Sequence, residues 1–332
     1  MVRTMHRLRL RVLLFGLFGL YGLAAGFGSF AQDYPSKPVR MIVPYAAGGP
    51  ADIAARLIGQ KLSETLGQQF VIDNRPGAGG MIGAEAVARA APDGYTLLVA
   101  SFNEFTINPA VFPSLPYDPV RSFASVVSIA AAPLVLATGS KSAYNSVKDL
   151  IAAAKAKPGA LAWSATSIAS LNHISGEWLA TEAGIKVLHV PFKGALDSAT
   201  AIVNGDVAYG VTSVSSARSF VKAGSMRVLA VMTDKRTALE PDWPTLAENG
   251  LQGFDAAVRV VMHGPAKMPQ PIIAKLNNEV NRILGAPEVR ERFSALGVEP
   301  AGGFTPEALD AAIQAAAAQI ARIVAQAKIK VQ

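Results

Sequence analysis

Apolar and polar positions alternate along the chain in two rhythms, short β-like runs and longer amphipathic stretches, and this alternation predicts an α/β protein. The first unit sets the pattern. Val39-Arg40-Met41-Ile42-Val43-Pro44 reads as a buried strand, and Ala47-Gly48-Gly49-Pro50 turns the chain. Ile53, Leu57, Ile58, Leu62 and Leu66 then recur at helical spacing until Gly67 ends the helix. A strand follows at 69–72, a glycine-rich turn at 75–80, a helix around 81–90, and a strand at 95–100 after the Asp93-Gly94 turn.

The middle of the chain repeats the theme. Residues 129–137 are apolar, and Ser146 with Asp149 three positions on resembles a capping box opening a helix that stops at Lys157-Pro158-Gly159. Further strands are predicted at 161–164, 186–190, 207–212 and 227–232, with helices near 168–182 and 194–203. Pro241-Asp242-Trp243-Pro244-Thr245 reads as a rigid irregular segment. Beyond it the chain is predicted to be helical at about 271–284, 287–296 and 306–328, without strands of its own. A helical end of this kind would cover the first βαβ units, so the first domain would be interrupted by the middle of the chain. No tandem repeat or long linker is visible.

Composition sharpens this picture. The chain has 332 residues, 51% hydrophobic and 17% charged, which suits two modest domains or one large one and excludes an unfolded chain. It contains no cysteine, so thiolate metal sites, disulfides and a catalytic thiol are excluded. The net charge of +7 points to nucleic acid only until it is localised. Arg3, Arg7, Arg9 and Arg11 stand in residues 1–31 with no acidic residue, so +4 of the +7 sits there and +3 remains. An apolar run from Val12 to about Phe27 follows, ending at Ser29-Phe30-Ala31. This is the order of a secretory signal peptide. The short, glycine-rich run and the cleavable pattern favour removal over a permanent anchor, and no cysteine is present for lipidation. No later segment approaches roughly 18 uncharged apolar residues, which predicts no second span. The expected mature protein is periplasmic and monomeric, with no nucleic-acid partner.

The chemistry is sparse. Gly77, Gly79 and Gly83 imitate a dinucleotide-binding turn, but Ile82 stands where a third glycine is needed. Glu104, at the distance expected of the ribose acid, lies past its strand in a loop. No nucleophile elbow, zincin or P-loop sequence occurs, and beyond the leader only His173, His189 and His263 could serve a metal or a triad. No cofactor, metal or catalytic residue is therefore assigned. The strand-to-helix loops carry more. Ala47–Asp52, Ser101–Asn103, Ser164–Ser170, Phe192–Gly194 and Thr212–Ser216 gather small, neutral polar residues at one sheet edge. Free N–H groups at helix starts, with hydroxyls beside them, make a neutral trap for a carboxylate. The same serines and threonines would also serve as helix caps. Five such loops at one edge tilt the balance toward binding.

These loops are also where the chain resembles a known family. Tyr34 to Asp52, ending Val43-Pro-Tyr-Ala-Ala-Gly-Gly-Pro-Ala-Asp52, is similar to the opening of mature Bug proteins, the substrate-binding proteins of tripartite tricarboxylate transporters. The likeness continues in Asp73–Gly80, Pro92–Leu98, Ala154–Gly159, Val190–Gly194, Ala223–Ala230 and Trp243–Glu248, in order along almost the whole mature chain. The resemblance implies a type II-like periplasmic binding protein fold, two α/β lobes around a central cleft with two crossovers. With the signal peptide read at 1–31, it places lobe 1 at 32–132 and 230–332, and lobe 2 at 133–229. It implies a small organic carboxylate as ligand and inner-membrane transporter subunits as partners. Carried over by position, the first-lobe contacts are Ala47, Gly48, Asp52, Ser101 and Asn103. The second lobe would offer Ser164, Thr166, Ser167, Ser170, Lys193, Gly194, Asp197 and Thr212.

The chain departs from the family at several of these places. The Ser164–Ser170 loop has no glycine, Phe192 replaces a usual tyrosine, and Thr212 stands where many relatives carry an acid. Arg259 replaces a common tryptophan after Gly253-Phe254-Asp255. Arg259 would pair with the second anionic group of a dicarboxylate, or point to solvent from a strand edge. Phe102, Phe105 and Phe192 would flank an aromatic acid, or simply pack in the core. Two rival functions share the scaffold: a receptor for a membrane kinase, and an exported hydrolase or isomerase, for which no acid–base pair is visible.

Overall fold

The computed structural model describes residues 34–327 and 329; the leader read at 1–31 lies outside the described residues. The chain divides between Ser36 and Lys37, and the sheet and helices below belong to the part from Lys37 onward.

The first lobe begins as the sequence suggests. Strand β1 (Val39–Val43) lies between parallel partners β2 (Phe70–Asn74) and β3 (Thr96–Ser101). Helix α1 (Pro50–Leu66) joins β1 to β2 and ends on Gly67 in the left-handed conformation. Helix α2 (Met81–Ala88) leads to β3. Two single turns, α3 (Asn103–Thr106) and α4 (Asn108–Val111), fold what reads in sequence as a loop.

Strand β4 (Phe123–Gly139) then runs 17 residues and belongs to both lobes. Its residues 123–133 pair antiparallel with β9 (Ala257–Pro265), while residues 134–139 pair with β7 (Tyr209–Ser213) and β8 (Met226–Val231). The second lobe adds α5 (Val147–Ala156), β5 (Ala162–Ala165), α6 (Leu171–Ala183), β6 (Leu188–Pro191), α7 (Ala195–Asn204) and α8 (Val214–Lys222). Strands β6, β5 and β7 are parallel. The chain returns through a backbone lattice in which Met232 N–H bonds Leu134, Leu134 N–H bonds Ala256, and Ala256 N–H bonds Met232. Strand β4 and this return are the two crossovers.

Strand β9 corrects the expectation that the C-terminal part lacks strands. It fills the space between β3 and β4, buried on both faces. A strand of that kind has no period-two signature, and Arg259 and His263 also break its apolar run. The rest is helical, with α9 (Gln270–Gly285), α10 (Pro287–Ala295) and α11 (Pro306–Gln326) around the short β10 (Glu299–Pro300). Helix α9 packs on α1 and β4. Contrary to the sequence reading, α11 is long and apolar enough to cross a membrane by length and composition alone, because its alanine run raises the mean hydropathy. It carries Glu307, Asp310 and Arg322, and it buries Leu309, Ile320 and Ile323 against the protein.

Apolar burial drives each lobe separately. Ile42, Leu98, Val261, Phe105, Tyr117 and Leu309 form the first-lobe core. Trp163, Tyr209, Leu136, Leu179, Leu246 and Phe254 form the second, so residues in the 232–256 return pack with the second lobe. A smaller cluster of Ile107, Ala169, Ile174, Ile320 and Ile323 joins α4 and α11 to the start of α6.

Candidate functional site

The carboxyl ends of β1 and β6 aim their following loops at each other. A methyl group built on Gly48 would stand 3.1 Å from Leu196 Cδ1, and one on Gly194 would stand 3.7 Å from the Ala46 Cβ. These two loops open α1 and α7, whose N-caps are Gly49 and Gly194, neither with a side-chain cap. Elsewhere in the second lobe the starts of α5, α6 and α8 are capped by Ser146, Ser170 and Ser213. Two helix starts without a side-chain cap therefore face one another across the cleft. Pro50 opens α1 without an N–H, and each first turn carries an acid, Asp52 and Asp197, beside the partial positive charge of its free N–H groups.

The sequence-derived candidates fall into two groups. Asp52 is buried, and its carboxylate is consumed locally. Oδ2 accepts from Gly48 N–H at 2.9 Å and Arg56 Nε at 3.0 Å; Oδ1 accepts from Asn74 Nδ2 at 3.0 Å and meets Arg56 Nη2 at 2.9 Å. Burial alone would raise its pKa, yet the bonds from Arg56, Gly48 and Asn74 hold it below the usual range. Asp52 thus shapes the Ala47–Gly49 loop. Ser101 Oγ accepts Asn103 N–H and bonds the Tyr45 hydroxyl at 2.7 Å. Ser164 is fully buried and accepts from Ser198 Oγ at 2.9 Å. Ser170 is an N-cap that accepts His173 N–H and donates to Ser167 O, so for this residue the capping alternative holds. Thr166 bonds Asn172, which donates to the Val211 carbonyl at 3.0 Å. Thr212 is buried, and its hydroxyl has no partner among the described residues.

The remaining candidates stand nearer solvent. Ala47, Lys193 and Asp197 are exposed; Gly48, Asn103, Ser167 and Gly194 are partly so. Arg259 is neither simply on a strand edge nor free, because it bonds Asp255 at 3.0 Å and its carbonyl accepts Phe102 N–H. With Ser101, Asn103, Trp178 and Gln319 it lines a cavity of about 50 Å³ between α3, α6 and α11. Of the three aromatics, Phe102 reaches this cavity, Phe105 packs in the first-lobe core, and Phe192 packs on the second.

Glu104 is a polar residue whose importance the sequence does not reveal. It is fully buried behind the Ser101–Asn103 loop, where Oε1 accepts the Tyr45 hydroxyl at 2.6 Å and Oε2 has no partner among the described residues. Burial pushes its pKa up to about 7. A side chain on Gly80 would run into its Oε1. The only sequence signal was its spacing from a false glycine motif.

Among the described residues no group of three His, Asp or Glu side chains is placed to hold a metal ion. Ser125 does meet His263 Nε2 at 3.0 Å, but Asp310 bonds the serine and not the imidazole, and both Ser125 and His263 are buried. A triad needs the acid on the far nitrogen of the histidine, and here Nδ1 has no partner among the described residues.

Two mixed-sheet lobes joined by two crossovers, with strand-end loops facing across a cleft, define a periplasmic-binding-protein type of receptor. The chain belongs to the tripartite tricarboxylate transporter family receptors, the Bug family, whose profile matches residues 54–328. It is 33% identical to the protein BugT of Bordetella pertussis, over 86% of this chain and 89% of that one. It is similar to the structure of R. palustris Rpa4515 with adipate, at 33% identity and a TM-score of 0.87, covering 90% of this chain and 99% of that one. The structure of MatC from Rhodopseudomonas palustris with bound malate matches at 30% identity and a TM-score of 0.82, covering 88% of this chain and all of that one. The fold and family expectations thus hold.

Proposed function

We propose that this chain is a periplasmic solute-binding protein that captures a small organic carboxylate between its lobes and delivers it to inner-membrane transporter subunits. The observation that carries this reading is the pair of opposed helix starts at Gly49 and Gly194, both without a side-chain cap. A carboxylate between them accepts N–H bonds from both lobes, so it favours the closed state and links binding to hinge closure. Adipate and malate on two relatives support the ligand class. Ala47, Gly48, Asn103, Thr166, Ser167, Lys193, Gly194 and Asp197 form the rim. Asp52, Ser101, Ser164, Ser170 and Thr212 hold the loops that present it. Arg259, released from Asp255, meets the second carboxylate of a dicarboxylate. The packing of Leu246, Phe254 and Ala256 favours a second lobe that extends from about residue 133 to about residue 256.

Thermal unfolding of the mature chain with adipate, malate, succinate, benzoate and amino acids tests this. A ligand at a hundredfold excess over its Kd adds about 2.7 kcal/mol, a rise of several degrees. A panel in which no carboxylate moves the transition while a neutral or cationic solute does would overturn the reading.

A further inference from the structure

A buried acid lies just behind the anion-binding loops. Glu104 has no exposed surface, and among the described residues no lysine, arginine or histidine bonds either of its oxygens. Its contacts are hydroxyls and backbone. From the loop after β1 comes the Tyr45 phenol; from β3 comes Ser101, bonded to that phenol at 2.7 Å; and the Tyr117 hydroxyl donates to the Glu104 carbonyl at 3.0 Å. The charged groups on neighbouring elements are engaged elsewhere. His263 of β9 stacks on Phe105, Asp310 of α11 bonds Ser125, and Arg75 beyond β2 pairs with Asp73. An ionised carboxylate enclosed like this lacks a counter-charge, and a ligand anion beyond Ser101 adds like charge to the same region.

We propose that Glu104 is a positioning residue that takes up a proton when the cleft binds its carboxylate, so that a buried neutral acid, not a fixed cation, tunes the affinity for anions. The inference rests on the carboxylate reading above. The Tyr45–Ser101 chain carries the coupling: Ser101 receives Asn103 N–H and borders the cavity, and Tyr45 leads directly into Ala46 and Ala47. The proton comes from solvent, so one H⁺ enters with each anion bound by the ionised form. Burial places the Glu104 transition near neutral pH, where this exchange is measurable.

The test is calorimetric titration of the mature protein with adipate and with malate between about pH 5.5 and pH 8.5, in buffers of differing ionisation heat. Wild-type affinity is expected to fall about tenfold across that range, with proton uptake visible as a buffer-dependent heat. Glu104→Gln should flatten both. Tyr45→Phe keeps the acid but removes a donor to its ionised form, so the fall should move to higher pH; this second variant serves if Glu104→Gln does not fold. Binding with equal pH slopes in wild type and Glu104→Gln, or an unmoved slope in Tyr45→Phe, overturns the proposal and leaves the carboxylate reading standing. Failure of both probes and of every other carboxylate to bind at any pH defeats the carboxylate reading, and the coupling with it.

Discussion

In the first lobe the loops at the cleft are tied from behind by carboxylates, whereas in the second they are tied by hydroxyls and rest on an aromatic box. Asp52 gathers four donors and fixes Gly48, and Glu104 holds Tyr45 and through it Ser101. Across the cleft Ser164 is held by Ser198, Ser170 caps α6, and Ser213 caps α8. Beneath them Trp163 stacks near His173, His189 and Tyr209, and among the described residues the indole N–H, His189 Nε2 and Tyr209 hydroxyl have no hydrogen-bond partner. Charge-assisted bonds are stronger and more directional than neutral ones. The first wall is therefore the more rigidly held where the ionised Asp52 ties it, and the second depends more on packing for its shape.

The largest effect should come from the packed wall. Trp163 is among the largest fully buried side chains, so Trp163→Ala should cost about 3–5 kcal/mol by loss of burial plus an unfilled cavity. Denaturant unfolding measures it; a cost below about 1 kcal/mol would show that the box is not what supports this lobe. No ionic group in the first wall should match it.

The two walls should next separate by pH. Burial holds His173 down to about 4 and Glu104 up to about 7. The stability contributed by neutral His173 is present above its unfolded value of 6.5 and lost as pH falls through about 4. That of protonated Glu104 is present below 4.5 and lost as pH rises through about 7. Each is worth on the order of 3 kcal/mol at its limit. His189, lowered to about 4 by burial and by His173, adds to the acid side of the second lobe. His263 of the first lobe, lowered to about 3 by burial, titrates on the same side, so the single variants and not the limb alone assign each wall. Unfolding profiles of Glu104→Gln and His173→Gln across pH should therefore flatten opposite limbs. A single limb altered by both variants would erase the distinction between the walls.

What could be read in the sequence follows the same division. The β1–α1 unit was visible because a strand buried on its own carries apolar residues that end at a helix with plain spacing, and Ser146 is the N-cap its motif predicts. Strand β9 was hidden because Arg259 and His263 break its apolar run, leaving Val260-Val261-Met262 as its longest stretch, and α3 was hidden because four residues give no periodicity. Within the site, backbone groups at Gly48 and Gly194 were legible as turn signals, since only the local chain decides them. The roles of Asp52 and Glu104 were not, because Asn74 and Tyr45 reach them from 22 and 59 positions away. Long-range partners decide whether a polar residue greets a ligand or holds a loop.

Asp52→Asn sharpens the comparison at smaller scale. An amide cannot accept on both sides, so its NH2 would face a donor, either Gly48 N–H and Arg56 or the Asn74 amide. The expected cost is about 1–2 kcal/mol in stability. A larger proportional loss is expected in carboxylate affinity, because Gly48 is released. Calorimetry with adipate alongside denaturant unfolding separates the two; stability lost with affinity intact would make Asp52 a helix-end residue only.

The smallest stability effect belongs to Arg259, and its value lies in what it does to ligand choice. Its pair with Asp255 is solvent-exposed on both sides, 39% and 51%, and an exposed pair contributes about 0–1 kcal/mol. Arg259→Gln should therefore leave the unfolding midpoint nearly unchanged. The same residue lines one cavity with Ser101 and Asn103, so a dicarboxylate reaching it would lose a cation at its far end in the variant, while a monocarboxylate would lose nothing. The ratio of adipate to hexanoate affinity, measured in wild type and variant, isolates that end from the head group shared by both acids. A ratio that falls about tenfold assigns Arg259 to the second carboxylate. An unchanged ratio leaves Arg259 with Asp255 as a surface pair and confines recognition to the two opposed helix starts.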